Sequence, residues 1–80
     1  MRIIEFMNGN INVRRDNRVD YAETILEFLQ KVEKQLRNLG YEVKITSDTQ
    51  LCIEGKTFTF TWNDICKYNY YESVKLRNVL

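Results

Sequence analysis

Histidine and proline are absent from this chain, cysteine occurs twice and glycine three times. Without imidazole there is no side chain that titrates by default near neutral pH, no Ser–His or Cys–His nucleophile pair and no usual zinc-enzyme ligand set. The two thiols, Cys52 and Cys66, stand fourteen residues apart. They match neither a C-x-x-C redox motif nor a zinc site, because two thiolates leave a tetrahedral shell half filled. They read as ordinary reduced thiols. The lack of proline suits regular elements joined by tight turns. No apolar run approaches the roughly 20 residues of a membrane span, and the opening MRIIEFMNGN holds too short an apolar stretch for a secretory signal. A cytoplasmic protein with no membrane contact is therefore expected. Charge of one sign is lacking too: twelve basic residues against eleven acidic leave +1, which gives no general pull toward nucleic acid or anionic lipid.

The chain's 80 residues make one small α+β domain, spanning 1–80, with 44% hydrophobic residues, enough for a core and too many for a disordered chain. The run RIIEFM-NG-NINVRR is a hairpin signature, since Asn8-Gly9 fits the two positive φ angles of a type I′ turn. That turn pairs Phe6 with Ile11 and Ile4 with Val13 on one face, and sets Arg2 opposite Arg15. A long amphipathic helix is expected over 20–39, with Asp20 as N-cap, Glu23 completing a capping box, and Tyr21, Ile25, Phe28, Leu29, Val32, Leu36 and Leu39 on the apolar side. Glu27 and Lys31 read as an i,i+4 pair, and Gly40 as the left-handed residue that ends the helix and returns Tyr41 to Leu36.

A three-stranded meander follows. Val43 and Ile45 pair with Ile53 and Leu51 across a turn at Ser47-Asp48-Thr49. A second turn, read as a type II′ hairpin at Gly55-Lys56, pairs Ile53 with Phe58 and Leu51 with Phe60. From Asn63 onward two patterns compete. Cys66, Tyr68, Tyr70, Val74 and Leu76 alternate as a strand would, while Thr61-x-x-Asp64 is a capping box whose Phe60 can staple to Ile65. A helix from near Trp62, broken around Asn69, is the preferred reading, so the expected order is ββαβββ(α) with antiparallel pairing.

Fifteen residues, Thr57 to Tyr71, hold two Phe, one Trp and three Tyr. Phe58, Phe60 and Trp62 share a face with Leu51 and Ile53 and are expected in the core. Tyr68, Tyr70 and Tyr71 cannot all point one way on a helix, because adjacent residues diverge by about 100°. With Arg14, Arg15 and Arg18, the densest cationic cluster, they are the candidate partner-binding residues, since Tyr and Arg dominate interface energetics. The triplet Gly55-Lys56-Thr57 resembles the end of a phosphate-binding loop, but position 50, where that motif needs glycine, is Gln. Carboxylates are spread along helix faces and turns with no two brought together by spacing. Catalysis, a cofactor and a metal are accordingly not expected.

The resulting expectation is a small non-enzymatic module that binds another protein. Asn, Ile, Lys and Tyr, whose codons are AT-rich, make up 26 of the 80 residues, which suits a phage or mobile-element accessory protein. An inhibitor of a host or defence enzyme, of the anti-CRISPR type, is one form of that expectation. The alternatives are a nucleic-acid-binding accessory using the arginine-rich hairpin end, with Arg2 added to the cluster, and a structural homodimer.

Overall fold

The computed structural model describes residues 1–7, 9–17, 19–71 and 73–77. In chain order these form β1 (Arg2–Met7), β2 (Asn10–Arg14), α1 (Ile25–Asn38), β3 (Val43–Ile45), β4 (Gln50–Ile53), β5 (Lys56–Thr59), α2 (Trp62–Tyr70) and β6 (Ser73–Arg77). The architecture is α+β with antiparallel sheets, in the expected order through α2. The strands divide into two three-stranded sheets, β1-β2-β6 and β3-β4-β5. Helix α1 packs on β1 of the first sheet, on β3 and β4 of the second, and on α2.

The α1 stripe Phe28, Leu29, Val32 and Leu36 is fully buried, each side chain contributing about 1.5–3 kcal/mol of transfer free energy. Phe28 stands at the junction of the helices and the second sheet, its ring centroid 5.5 Å from Phe60 and 5.2 Å from Tyr68. Phe6 joins the two sheets by reaching Tyr41 at 5.1 Å and Phe58 at 5.8 Å. The edge-on and tilted geometry of these pairs is what aromatic quadrupoles favour.

Helix α1 begins four residues later than the Asp20/Glu23 pattern predicts, with its N-cap at Thr24 and not Asp20. Thr24 is the N-cap, accepting the Glu27 amide at 3.0 Å, while the Glu27 carboxylate accepts the Glu23 amide at 3.3 Å. Both stretches carry the same capping spacing, and the choice falls to Thr24 because Asp20 has stronger partners elsewhere. Lys31, expected to pair with Glu27, donates to Asp20 instead at 2.9 Å. The helix end follows the sequence reading. Gly40 takes φ 96°, Tyr41 donates to the Leu36 carbonyl and Gly40 to that of Arg37, which is a Schellman closure.

Two registers differ from expectation. Phe6 pairs with Ile11 as anticipated, but a bulge at Ile4 shifts the pairing so that Ile3 meets Val13 and Arg2 meets Arg14, not Arg15. Ile4 is thereby turned out to solvent. In the meander, Val43–Ile53 and Ile45–Leu51 pair as expected. The β4–β5 turn, however, is Glu54-Gly55, with φ 49° and 79°, and Leu51 pairs with Phe58. Positive φ at both central residues is the type I′ pattern, which matches strand twist and puts glycine second. The slip is two residues, so Phe58 keeps its inward face.

The C-terminal ambiguity resolves into both readings in succession. Thr61 and Asp64 form the reciprocal capping box of α2, and the helix ends at Tyr70. The chain then extends as β6, which pairs with β2 through Leu76–Ile11 and Val74–Val13. That strand was not expected as a separate element, although Val74 and Leu76 belonged to the alternating pattern. No helix among the described residues is long and apolar enough to cross a membrane.

Candidate interaction surface

The segment from Arg15 to Thr24, between β2 and α1, is anchored by polar contacts to α2. Asp20 is the first anchor. One of its oxygens accepts the Met1 amino group at 2.6 Å, the Tyr68 hydroxyl at 2.9 Å and the Asp16 amide at 3.2 Å, and the other accepts Lys31 at 2.9 Å. Burial alone would push this carboxyl up. The hydrogen bonds from the Met1 amino group, Lys31, the Asp16 amide and Tyr68 outweigh it and hold Asp20 well below the usual carboxylate range. Burial, and then the hydrogen bond to the Asp20 anion, push the Tyr68 phenol well above its ordinary value. Asn69 is the second anchor. Its amide oxygen accepts the Ala22 N–H at 3.0 Å and its amide nitrogen donates to the Ala22 carbonyl at 2.8 Å, as a neighbouring strand would.

These anchors correct one candidate. Tyr68 has no exposed surface and packs edge-on against Phe28, so it is a core residue with a satisfied hydroxyl. The other tyrosines stand outside. Tyr70 is 79% exposed and Tyr71 54%, with ring centroids 4.9 Å apart. The strand β6 that follows returns this segment to β2, and there the two sequence clusters meet. Arg15 donates from Nε to the Tyr71 carbonyl at 3.4 Å, and its guanidinium carbon lies 5.2 Å from the centre of the Tyr21 ring. Arg14 is exposed at the end of β2, opposite Ser73 on one side and Arg2 on the other. Arg18 lies outside the described residues.

Two members of this surface were read from the sequence as core. Trp62 is 51% exposed, because Thr61 caps α2 and the chain leaves the strand alternation that put Trp62 beside Phe60. Tyr21 is exposed because residue 21 precedes the helix whose apolar side it was assigned to. The signal for Trp62 was available. With Ile65 and Tyr68 facing inward, Cys66 and Tyr70 are turned about 100° and 140° from Ile65, and Trp62 flanks them at i−4 from Cys66. Trp62, Cys66 and Tyr70 thus form an i, i+4, i+8 row on the outer face of α2, with Tyr71 at its end.

Among the described residues no group of three or more His, Cys, Asp or Glu side chains could hold a metal. Cys52 is half-buried and Cys66 exposed, both as free thiols. No family model matches this sequence, and neither a curated protein nor a solved structure shows significant similarity to it.

Proposed function

We propose that this chain is a non-enzymatic protein-interaction module whose working surface is the outer face of α2 together with Arg15 and Tyr21. One observation carries the reading: Trp62, Tyr70 and Tyr71 stand half or more exposed on one helix and its end, beside an arginine and a fourth aromatic ring. Trp, Tyr and Arg are the residue types that contribute most to binding energy at protein interfaces, and a row of exposed rings on a small domain marks an interaction site. A module without chemistry of its own acts by occlusion, so inhibition of a host or defence enzyme is the action we assign. The composition rich in AT-coded residues favours a phage or mobile-element accessory protein, and the free thiols favour a cytoplasmic setting.

The test is affinity capture from native lysate, with and without nuclease, by the wild-type chain and by a Trp62→Ala/Tyr70→Ala double variant. A stoichiometric protein that survives nuclease and is lost by the double variant is the expected result. Equal recovery by both proteins would refute the assigned surface.

Nucleic acid is the second reading, because cations interleaved with exposed rings also describe a single-strand stacking platform. It requires an affinity that falls steeply with salt, with the slope reduced by Arg14→Ala and Arg15→Ala. The homodimer is the third reading, and it requires a dimer mass at micromolar concentration.

A further inference from the structure

We infer that the Met1 α-amino group is a modification-sensitive lock: the free, charged amine holds the Arg15–Thr24 segment to the helices, and an acyl group on that nitrogen releases it. Chain ends usually fray because little holds them. Here the Met1 side chain lies in the hydrophobic core, the residue being 7% exposed, and this fixes the nitrogen in place. Two carboxylates meet it there, Asp16 Oδ2 and Asp20 Oδ2, each at 2.6 Å. The same Asp20 oxygen accepts the Tyr68 hydroxyl at 2.9 Å, and its other oxygen accepts Lys31. The amine thus completes a network that ties residues 16 and 20 to both α1 and α2.

Two carboxylates that converge on one nitrogen repel each other unless a cation lies between them. Lys31 does not take that place, because it reaches Asp20 through Oδ1 and not through the oxygen that shares the amine with Asp16. Acylation removes the cation. Transfer of an acetyl group from a thioester forms an amide on the Met1 nitrogen, frees the thiol of the donor and releases a proton from the ammonium. One N–H remains where the ammonium had three, uncharged and still facing both carboxylates. The nitrogen is enclosed in the folded chain, so the acyl group has to arrive before folding. The effect falls on folding and is independent of the protein-binding reading above.

Chemical synthesis of the full-length chain tests this with three amino termini: free, acetylated, and with the α-amine of Met1 replaced by hydrogen. The last removes the charge and adds no bulk. Thermal melts followed by circular dichroism are run on each form in the wild-type and Asp20→Asn backgrounds, with sulfate present so that the weaker forms stay folded. In the wild-type background the acetylated and the amine-free chains should both melt about 10 °C or more below the free chain. In Asp20→Asn that difference should shrink to less than half, because the more deeply buried of the two carboxylates has gone. Equal melting of all three wild-type forms would overturn the inference. So would a drop confined to the acetylated chain, which bulk alone explains, or a drop of undiminished size in Asp20→Asn.

Discussion

Replacing Asp20 by Asn removes the one anion that the Met1 amino group, Lys31 and the Tyr68 hydroxyl all address. The Asp20 side chain is only 9% exposed and Lys31 only 30%, so solvent cannot fully take over the role of the carboxylate. Breaking a buried ion pair by deleting one partner costs about 3–5 kcal/mol, and the partial exposure of Lys31 puts Asp20→Asn below that range, at about 2–3 kcal/mol. A domain of this size is expected to have roughly 4–12 kcal/mol in total. At about 4–8 °C per kcal/mol, the substitution should lower Tm by about 10–20 °C.

Asp16→Asn is the internal control, because Asp16 contacts the same amino group at 2.6 Å but is half-exposed. It should cost no more than about 1 kcal/mol. Urea unfolding followed by far-UV circular dichroism, and by fluorescence of the single tryptophan Trp62, measures both variants. Equal costs for the two, or a cost below about 0.5 kcal/mol for Asp20→Asn, would refute the assignment of Asp20 as the anchor of this segment. The pH dependence supplies an independent check with a definite sign. The folded-state pKa of Asp20 is depressed, so the unfolded chain binds the extra proton as pH falls. The Asp20 contribution is complete above the ordinary carboxylate pKa of about 4 and is lost progressively below it. The folded-state pKa of Tyr68 is raised, so its contribution is complete below about 10, the ordinary phenol value, and is lost as pH rises above that. Asp20→Asn should flatten the acid limb of the wild-type stability profile.

Five further substitutions, at four positions, separate folding from recognition. Asn69→Ala leaves both polar groups of Ala22 without their partner and should cost about 1–3 kcal/mol by urea unfolding, whereas Asn69→Asp keeps only the acceptor and should recover little of it. Glu54→Asn places the preferred residue at a positive-φ turn position and should raise stability by up to about 1 kcal/mol, while Gly55→Ala at φ 79° should lower it by about 1 kcal/mol; the opposite order in thermal melts would refute the type I′ assignment. Tyr70→Ala removes a ring that is 79% exposed and should change stability by no more than about 0.5 kcal/mol, yet reduce partner capture in the lysate assay by tenfold or more.

Local rules carried the elements that are closed by a single motif. The Schellman end at Gly40, the capping box at Thr61 and the β3–β4 register each depend on residues within a few positions of one another, so pattern alone located them. Competing local patterns decided nothing by themselves at Asp20 and Thr24, where identical spacing offered two helix starts. The outcome depended on Tyr68 and Lys31, which are distant in sequence and supply the carboxylate of Asp20 with partners worth more than an N-cap. The bulge at Ile4 and the Glu54-Gly55 turn were missed for a different reason. Both conserve the inward faces of Phe6 and Phe58, so alternation cannot distinguish them from the registers expected. Trp62 was assigned to the core by extending the strand one alternation past the residue that caps the next helix.

The candidate surface shows why its two halves look unrelated in the chain. Arg14 and Arg15 end β2, and Tyr70 and Tyr71 end α2, and neither cluster contains a signal for the other. Strand β6 supplies the link, because pairing Val74 with Val13 and Leu76 with Ile11 sets Ser73 opposite Arg14 at the end of β2. The Tyr71 carbonyl is thereby brought to Arg15, and the Asn69 clamp on Ala22 sets Tyr21 on the same side. The residues that shape the surface, Asp20, Tyr68, Asn69 and Val74, are buried or half-buried and contribute little area to it. The residues that form it, Trp62, Tyr70, Tyr71 and Tyr21, leave much of their apolar area in water, where it adds little to folding. Stability and recognition are thus assigned to different side chains of the same short segments, which is what allows substitutions such as Asp20→Asn and Tyr70→Ala to separate them.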